Sequence, residues 1–225
     1  MLAKLIYNNT QNFMGIFNFL KTKTTKGSQK YKDGRKAECP NCQNTLNKIP
    51  GAKTKCPHCG KIMFVRTRPD GVRLVVTERQ AKDIEQMENF LKFAGVQCGI
   101  TPKEILEREK NSVDMKNALW SLGNEYLLKN QQTGNYDNVI SLYRALEKIR
   151  ISKNKSANYI VKRRLYYELL QMKQQKLPIA IITCGYDSCD ACKKLDGKEY
   201  SINEAFELQP LPPENCTCLR CTCSY

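Results

Sequence analysis

Two hydrophobic periods divide the chain. "KIMFVRT" and "VRLVVT", between Lys61 and Thr77, gather apolar residues at strand length, and the "RPDG" between them supplies a proline and a glycine for a tight turn. This pattern predicts a two-stranded hairpin. From Thr77 the apolar positions recur at helical spacing, which predicts helices near 78–94, 102–110, 113–132, 137–151 and 156–176. Two of these open on capping boxes, Thr77 with Gln80 and Thr101 with Glu104, and Pro102 takes the first helical position of the second. Pro178 ends the last long helix, and "IAIIT" from Ile179 returns to a strand of buried type. Asp196-Gly197 marks a turn, and Ser201 with Glu204 caps a short helix running to about Leu208. The fold class expected is α+β.

The succession Leu119, Leu122, Gly123, Tyr126 and then Tyr136, Val139, Tyr143, Leu146 is similar to one tetratricopeptide-type helical hairpin with about four extra residues in its turn. An ordinary helical bundle uses the same residues as core. Before the hairpin region, residues 1–38 combine a weakly amphipathic N-terminus with a flexible linker, "KTKTTKGSQKYKDGRKAE", holding seven Lys or Arg. Met14 is an alternative start of the chain, since "MGIFNFLK" reads as a compact amphipathic helix. Nothing there reads as a secretory signal or a lipidation site. No apolar run approaches the roughly 20 residues of a membrane span, so a cytoplasmic location is expected.

Twelve cysteines without an export signal point to metal ligands rather than a disulfide framework. Four lie between Cys39 and Cys59, seven between Cys184 and Cys223, and Cys98 stands apart. "CPNC" at 39–42 and "CPHC" at 56–59 each form a tight turn that can aim two thiolates at one ion, and the hairpin follows directly. This arrangement resembles a four-cysteine zinc ribbon, with Cys39, Cys42, Cys56 and Cys59 closing a tetrahedral site; iron is the alternative metal. His58, the one histidine of the chain, is then an exposed turn residue, which removes most histidine-based mechanisms.

In the second cluster, "CDACKKLDGKEY" carries Cys189-x-x-Cys192 after a strand, as a redox pair would. The tail "ENCTCLRCTCSY" supplies further thiols, which a metal site needs and a redox pair does not. Spacing alone leaves Cys184, Cys216, Cys218, Cys221 and Cys223 competing to complete the site. The residues "CDACKKLDGKEYSINEA", "LPPENCTC" and "CTCSY" resemble the C-terminal module of the Mu F-like phage head morphogenesis (minor head protein) family over roughly 40 residues. By position the resemblance implies Cys189, Cys192 and Cys216 as ligands. The histidine usual in that family is missing, and Cys221 is the expected replacement, ahead of Cys218 and Cys223. Two zinc ions are expected in all.

Charge adds a partner. Residues 1–77 carry a net +12 and residues 126–183 a net +8, within an overall +15. Arg144, Lys148, Arg150, Lys153, Lys155, Lys162, Arg163 and Arg164 lie along the last helical hairpin, with Tyr143, Tyr159, Tyr166 and Tyr167 among them. Such a surface suits phosphate contacts without base selectivity. The expected organisation is a linker (1–38), a zinc ribbon (39–77), a central helical domain (78–177) and a cysteine-rich zinc module (178–225). The function expected is a zinc-binding adaptor or nucleic-acid-associated protein without catalytic activity. The family resemblance implies instead a head-assembly component bound to an assembly protein. A metal-dependent nuclease is the third class, with Asp187, Asp190, Asp196, Glu199 and Lys198 as its candidate groups.

Overall fold

The hairpin forms where its pattern places it, with one extra strand. In a computed structural model describing residues 37–48 and 50–225, β1 (Thr54–Lys55), β2 (Ile62–Thr67) and β3 (Arg73–Val76) form an antiparallel sheet in that order. Phe64 faces Val76 and Thr67 faces Arg73 across the β2–β3 ladder. The N-terminal segment and basic linker through Lys36, including Met14, lie outside the described residues. The sheet is too small to enclose a core of its own. It packs Phe64, Leu74 and Val76 against Ala81 and Ile84 of the first helix.

That helix, α1 (Glu78–Phe90), continues through a π-helical turn (Leu91–Gly95) into the short α2 (Val96–Cys98). α3 (Pro102–Lys110), α4 (Met115–Gln132), α5 (Tyr136–Ser152) and α6 (Asn158–Gln174) follow. Both capping boxes are formed, each satisfying orphan amide groups at a helix start. The bundle core gathers Met87, Phe90, Ile105, Leu119, Leu122, Val139, Leu142, Leu146 and Ile160. Burial of each large side chain contributes about 1.5–3 kcal/mol. At Gly123 α4 comes close to α5: a Cβ there would lie 2.8 Å from Leu146 Cδ2.

α6 has two audiences. Ile160 faces the bundle core, whereas Val161 and Leu165 face Ile182, Leu211, Cys192, Cys221 and Cys223. One turn on, Leu169 packs with Ala180, Ile202 and Ala205. The second sheet pairs β4 (Ile179–Ile181) with β5 (Glu199–Ser201), and between them lies α7 (Asp190–Lys193). α8 (Ile202–Leu208) starts on the third capping box, Ser201 with Glu204. The expectation of a buried "IAII" strand is corrected: Ala180 and Ile182 are buried, but Ile179 and Ile181 face outward, because only one face of this two-stranded sheet meets α6.

A buried ion network fixes the tail to the bundle. Glu147 of α5 accepts hydrogen bonds from Arg164 Nε of α6 (2.7 Å) and Arg220 Nε of the tail (2.9 Å). Arg164 Nη1 also donates to Glu168 (2.5 Å), which Arg144 reaches at 3.1 Å. The Leu219 carbonyl accepts from Ala157 N, and Cys221 N donates to Asn158 Oδ1, at the start of α6.

Candidate metal centres

The first centre consists of two turns with the same hydrogen bonds. In each, the amide two residues after the first cysteine donates to that cysteine's sulfur: Asn41 to Cys39 and His58 to Cys56, both at 3.4 Å. In each, the residue after the second cysteine donates its N–H back to the first cysteine's carbonyl, Gln43 at 2.8 Å and Gly60 at 2.9 Å. Those residues both have left-handed backbones, φ 62° at Gln43 and 72° at Gly60. Glycine adopts that conformation freely; glutamine does so under strain. The two turns bring Cys39 Sγ to 3.8 Å from Cys59 Sγ, and Cys42 Sγ to 3.8 Å from Cys56 Sγ. All four sulfurs lie within 4.8 Å of one another. His58 is exposed, with its backbone rather than its ring engaged.

A zinc–thiolate bond of about 2.3 Å sets the edge of a regular tetrahedron at about 3.8 Å. Two of the sulfur–sulfur edges match that figure, and all six lie within 4.8 Å. Their ionisation shows what the group lacks on its own. Burial opposes a thiolate at Cys39, but the amides of Asn41 and Cys42 and the thiols of Cys56 and Cys42 outweigh it and bring it down to about 6. At Cys59 the Lys61 amide favours the thiolate, yet burial and the three neighbouring sulfurs push it up to about 11. One thiolate forms readily and the next is resisted by it. A divalent cation removes that resistance, so metal binding expels protons and weakens on acidification.

The second cluster brings together all seven C-terminal cysteines. Cys189 stands at the residue before α7 and Cys192 lies within it; the loop after Pro213 supplies Cys216 and Cys218. Cys189, Cys192, Cys216 and Cys218 form a four-sulfur group within 4.8 Å. Cys192 is 3.6 Å from Cys189 and from Cys216, and Cys189 is 3.9 Å from Cys216. Cys189, Cys192 and Cys216 therefore meet. The fourth sulfur of this group is Cys218 and not Cys221. The loop through Thr217 puts Cys218 beside Cys189, while the Asn158 hydrogen bond holds Cys221 on the α6 side of Cys192. There Cys221 and Cys223 form a second group with Cys192.

Amide hydrogen bonds and burial act in opposite directions on some of these thiols. The amides of Cys192 and Thr217 bring Cys189 down to about 5. Burial, then neighbouring sulfurs, push Cys184 and Cys221 up to about 12 and raise Cys192 further still. Cys98, outside both clusters, is pushed up to about 11 by burial and donates to the Asn138 carbonyl at 3.8 Å.

The charged residues are arranged otherwise than their order in the chain suggests. Arg164 does not face solvent: its side chain is 5% exposed and held by Glu147 and Glu168. Lys148, Lys155, Lys162 and Arg163 are exposed, and Arg150 lies 4.8 Å over the ring of Tyr159, itself 53% exposed. Tyr143, Tyr166 and Tyr167 pack with Tyr136 and Phe206, with centroids 5.6–5.9 Å apart. Among the acidic residues, Asp196 Oδ1 accepts from Cys184 N at 2.8 Å and Asp187 Oδ1 from Thr222 Oγ1 at 3.4 Å. Among the described residues, every converging group of three or more cysteine, histidine or carboxylate side chains is made of cysteines alone. No described helix is long and apolar enough to cross a membrane.

Comparison with protein-family models, with curated proteins and with solved structures gave no match.

Proposed function

We propose that this chain is a zinc-stabilised, non-catalytic adaptor that associates with nucleic acid through its α5–α6 hairpin. The observation that carries the metal half is the four-sulfur geometry at Cys39, Cys42, Cys56 and Cys59, with two edges of 3.8 Å and all within 4.8 Å. A zinc ion held by four thiolates has no open position for substrate or water. Cys39 to Thr77 is on this reading a zinc ribbon, whose few apolar residues leave the metal to supply much of its folding energy. The C-terminal sulfurs stabilise the tail in the same way, and the docked tail stiffens α6 from behind.

The nucleic-acid half rests on Lys148, Lys155, Lys162 and Arg163, which are exposed, and on Tyr159, the outward aromatic beside Arg150. Lysines and arginines of this kind contact phosphates, and an exposed ring can stack on an unpaired base. The test is titration of single- and double-stranded DNA and RNA at increasing salt. Changing Lys148, Lys162 and Arg163 together to glutamine should weaken binding to all sequences alike and flatten the salt dependence. Arg164 is left intact because it belongs to the buried network. Absence of binding at low salt would overturn this half and leave the zinc reading standing.

The second reading is an assembly component of phage-head type in the cytoplasm, supported by the meeting of Cys189, Cys192 and Cys216. It requires a protein partner that stays bound after nuclease treatment and high salt.

A further inference from the structure

We propose that the C-terminal module holds not one metal ion but two, bridged by the Cys192 thiolate, with Cys189, Cys216 and Cys218 completing one site and Cys184, Cys221 and Cys223 the other. The inference deepens the zinc reading above and rests on it. Cys192 Sγ belongs to both converging groups, 3.6 Å from Cys189 and Cys216 on one side and 3.6 Å from Cys221 on the other. It is fully buried, as are Cys221 and Cys223. Cys184, at the end of the β4 segment, lies 2.9 Å from Cys223 Sγ and donates to the Cys192 carbonyl at 3.1 Å. It is the one remaining sulfur near the second group.

The count agrees with the geometry. Two tetrahedra that share a corner have seven corners, and the chain supplies seven cysteines between 184 and 223. A thiolate sulfur keeps lone pairs after binding one metal and can bind a second. One ion at Cys189, Cys192, Cys216 and Cys218 would leave three thiols, two of them fully buried, crowded on the far side of Cys192 with no cation to share. Two ions use every sulfur. With all seven sulfurs as thiolates around two divalent ions the cluster would carry −3, the displaced thiol protons passing to solvent.

The inference is tested on the full chain, purified reduced and without oxygen, by native mass spectrometry and by cadmium-113 NMR after exchange of zinc for cadmium. Three metal ions per chain are expected, one in the ribbon and two in the tail. Two of the three cadmium resonances should split each other through the shared sulfur, while the third stays single. Cys184→Ser should lower the count to two and abolish the splitting, with the ribbon resonance unmoved. Cys192→Ser should disturb both tail resonances together. Should that variant not fold, Cys184→Ser and Cys218→Ser carry the test, since each should remove the resonance of its own tail site and with it the splitting. Two ions with unsplit resonances would overturn the bridge and spare the zinc reading. One ion or none would overturn both for the tail. A Cys184–Cys223 disulfide, seen as a mass loss of two hydrogens in the reduced preparation, would also overturn it.

Discussion

Replacing Arg164 with methionine should destabilise the whole described unit, not merely one helix. The side chain is 5% exposed and lies between Glu147, which is fully buried, and Glu168, which is 11% exposed. It donates two charge-assisted hydrogen bonds, at 2.7 and 2.5 Å. Methionine fills the volume but leaves Glu147 with Arg220 alone, and Glu168 with Arg144 at 3.1 Å. One Glu168 oxygen, Oε2, is already buried without a partner, so the site has no spare donors. Breaking a buried ion pair from one side costs about 3–5 kcal/mol. For a unit of this size that corresponds to a fall of about 6–20 °C in Tm. The assay is thermal and urea unfolding of the zinc-loaded protein, run as a cycle with Glu147→Leu and the double variant. The two changes should be non-additive by about 1–3 kcal/mol, because removing both charges spares the cost of stranding either. A single-variant loss below about 1 kcal/mol, with strict additivity, would refute the reasoning, since Arg164 would then be solvated.

Three further outcomes follow from single positions. Gln43→Gly should stabilise the first metal turn by about 0.5–1 kcal/mol, the relief of a left-handed backbone less the added chain entropy, read from zinc-chelator competition and unfolding. Gly123→Ala should cost about 1–2 kcal/mol in urea unfolding even after its gain in helix propensity, because the new methyl meets Leu146 in a filled core. The Thr101 amide, then the Tyr126 hydroxyl, hold Glu104 below the usual glutamate range. A folded pKa below the unfolded one gives stability that is complete above the unfolded value and lost as pH falls through the folded one. The stability gap between wild type and Glu104→Gln should therefore close on acidification, in urea titrations from pH 7 to pH 3.

The long helices were legible because each carries its own period and its own start signal. Thr77, Thr101 and Ser201 cap where their sequences say they should. β1, β5 and α7 were not, being two to four residues long, too short to carry a period of their own. The π-helical turn left no mark in a pattern that stays helical throughout. Arg164 was misread as surface because charge was counted along the chain. A signal was present: Ile160, Val161, Arg164, Leu165, Glu168 and Leu169 form one buried stripe on α6, so an arginine and a glutamate on that stripe had to find partners inside. At the metal centres the first four cysteines were legible from two identical turns. The tail was not, because its division depends on how β4, α7 and the last loop meet around Cys192.

What surrounds the metal decides whether these cysteines are zinc ligands. X-ray absorption at the zinc edge on the full chain, purified with its native metal, reads that shell. It should show four sulfur neighbours at about 2.3 Å and no nitrogen or oxygen ligand. A shell with light-atom ligands or an open position, or a chain that carries no zinc and still folds, would contradict the zinc reading.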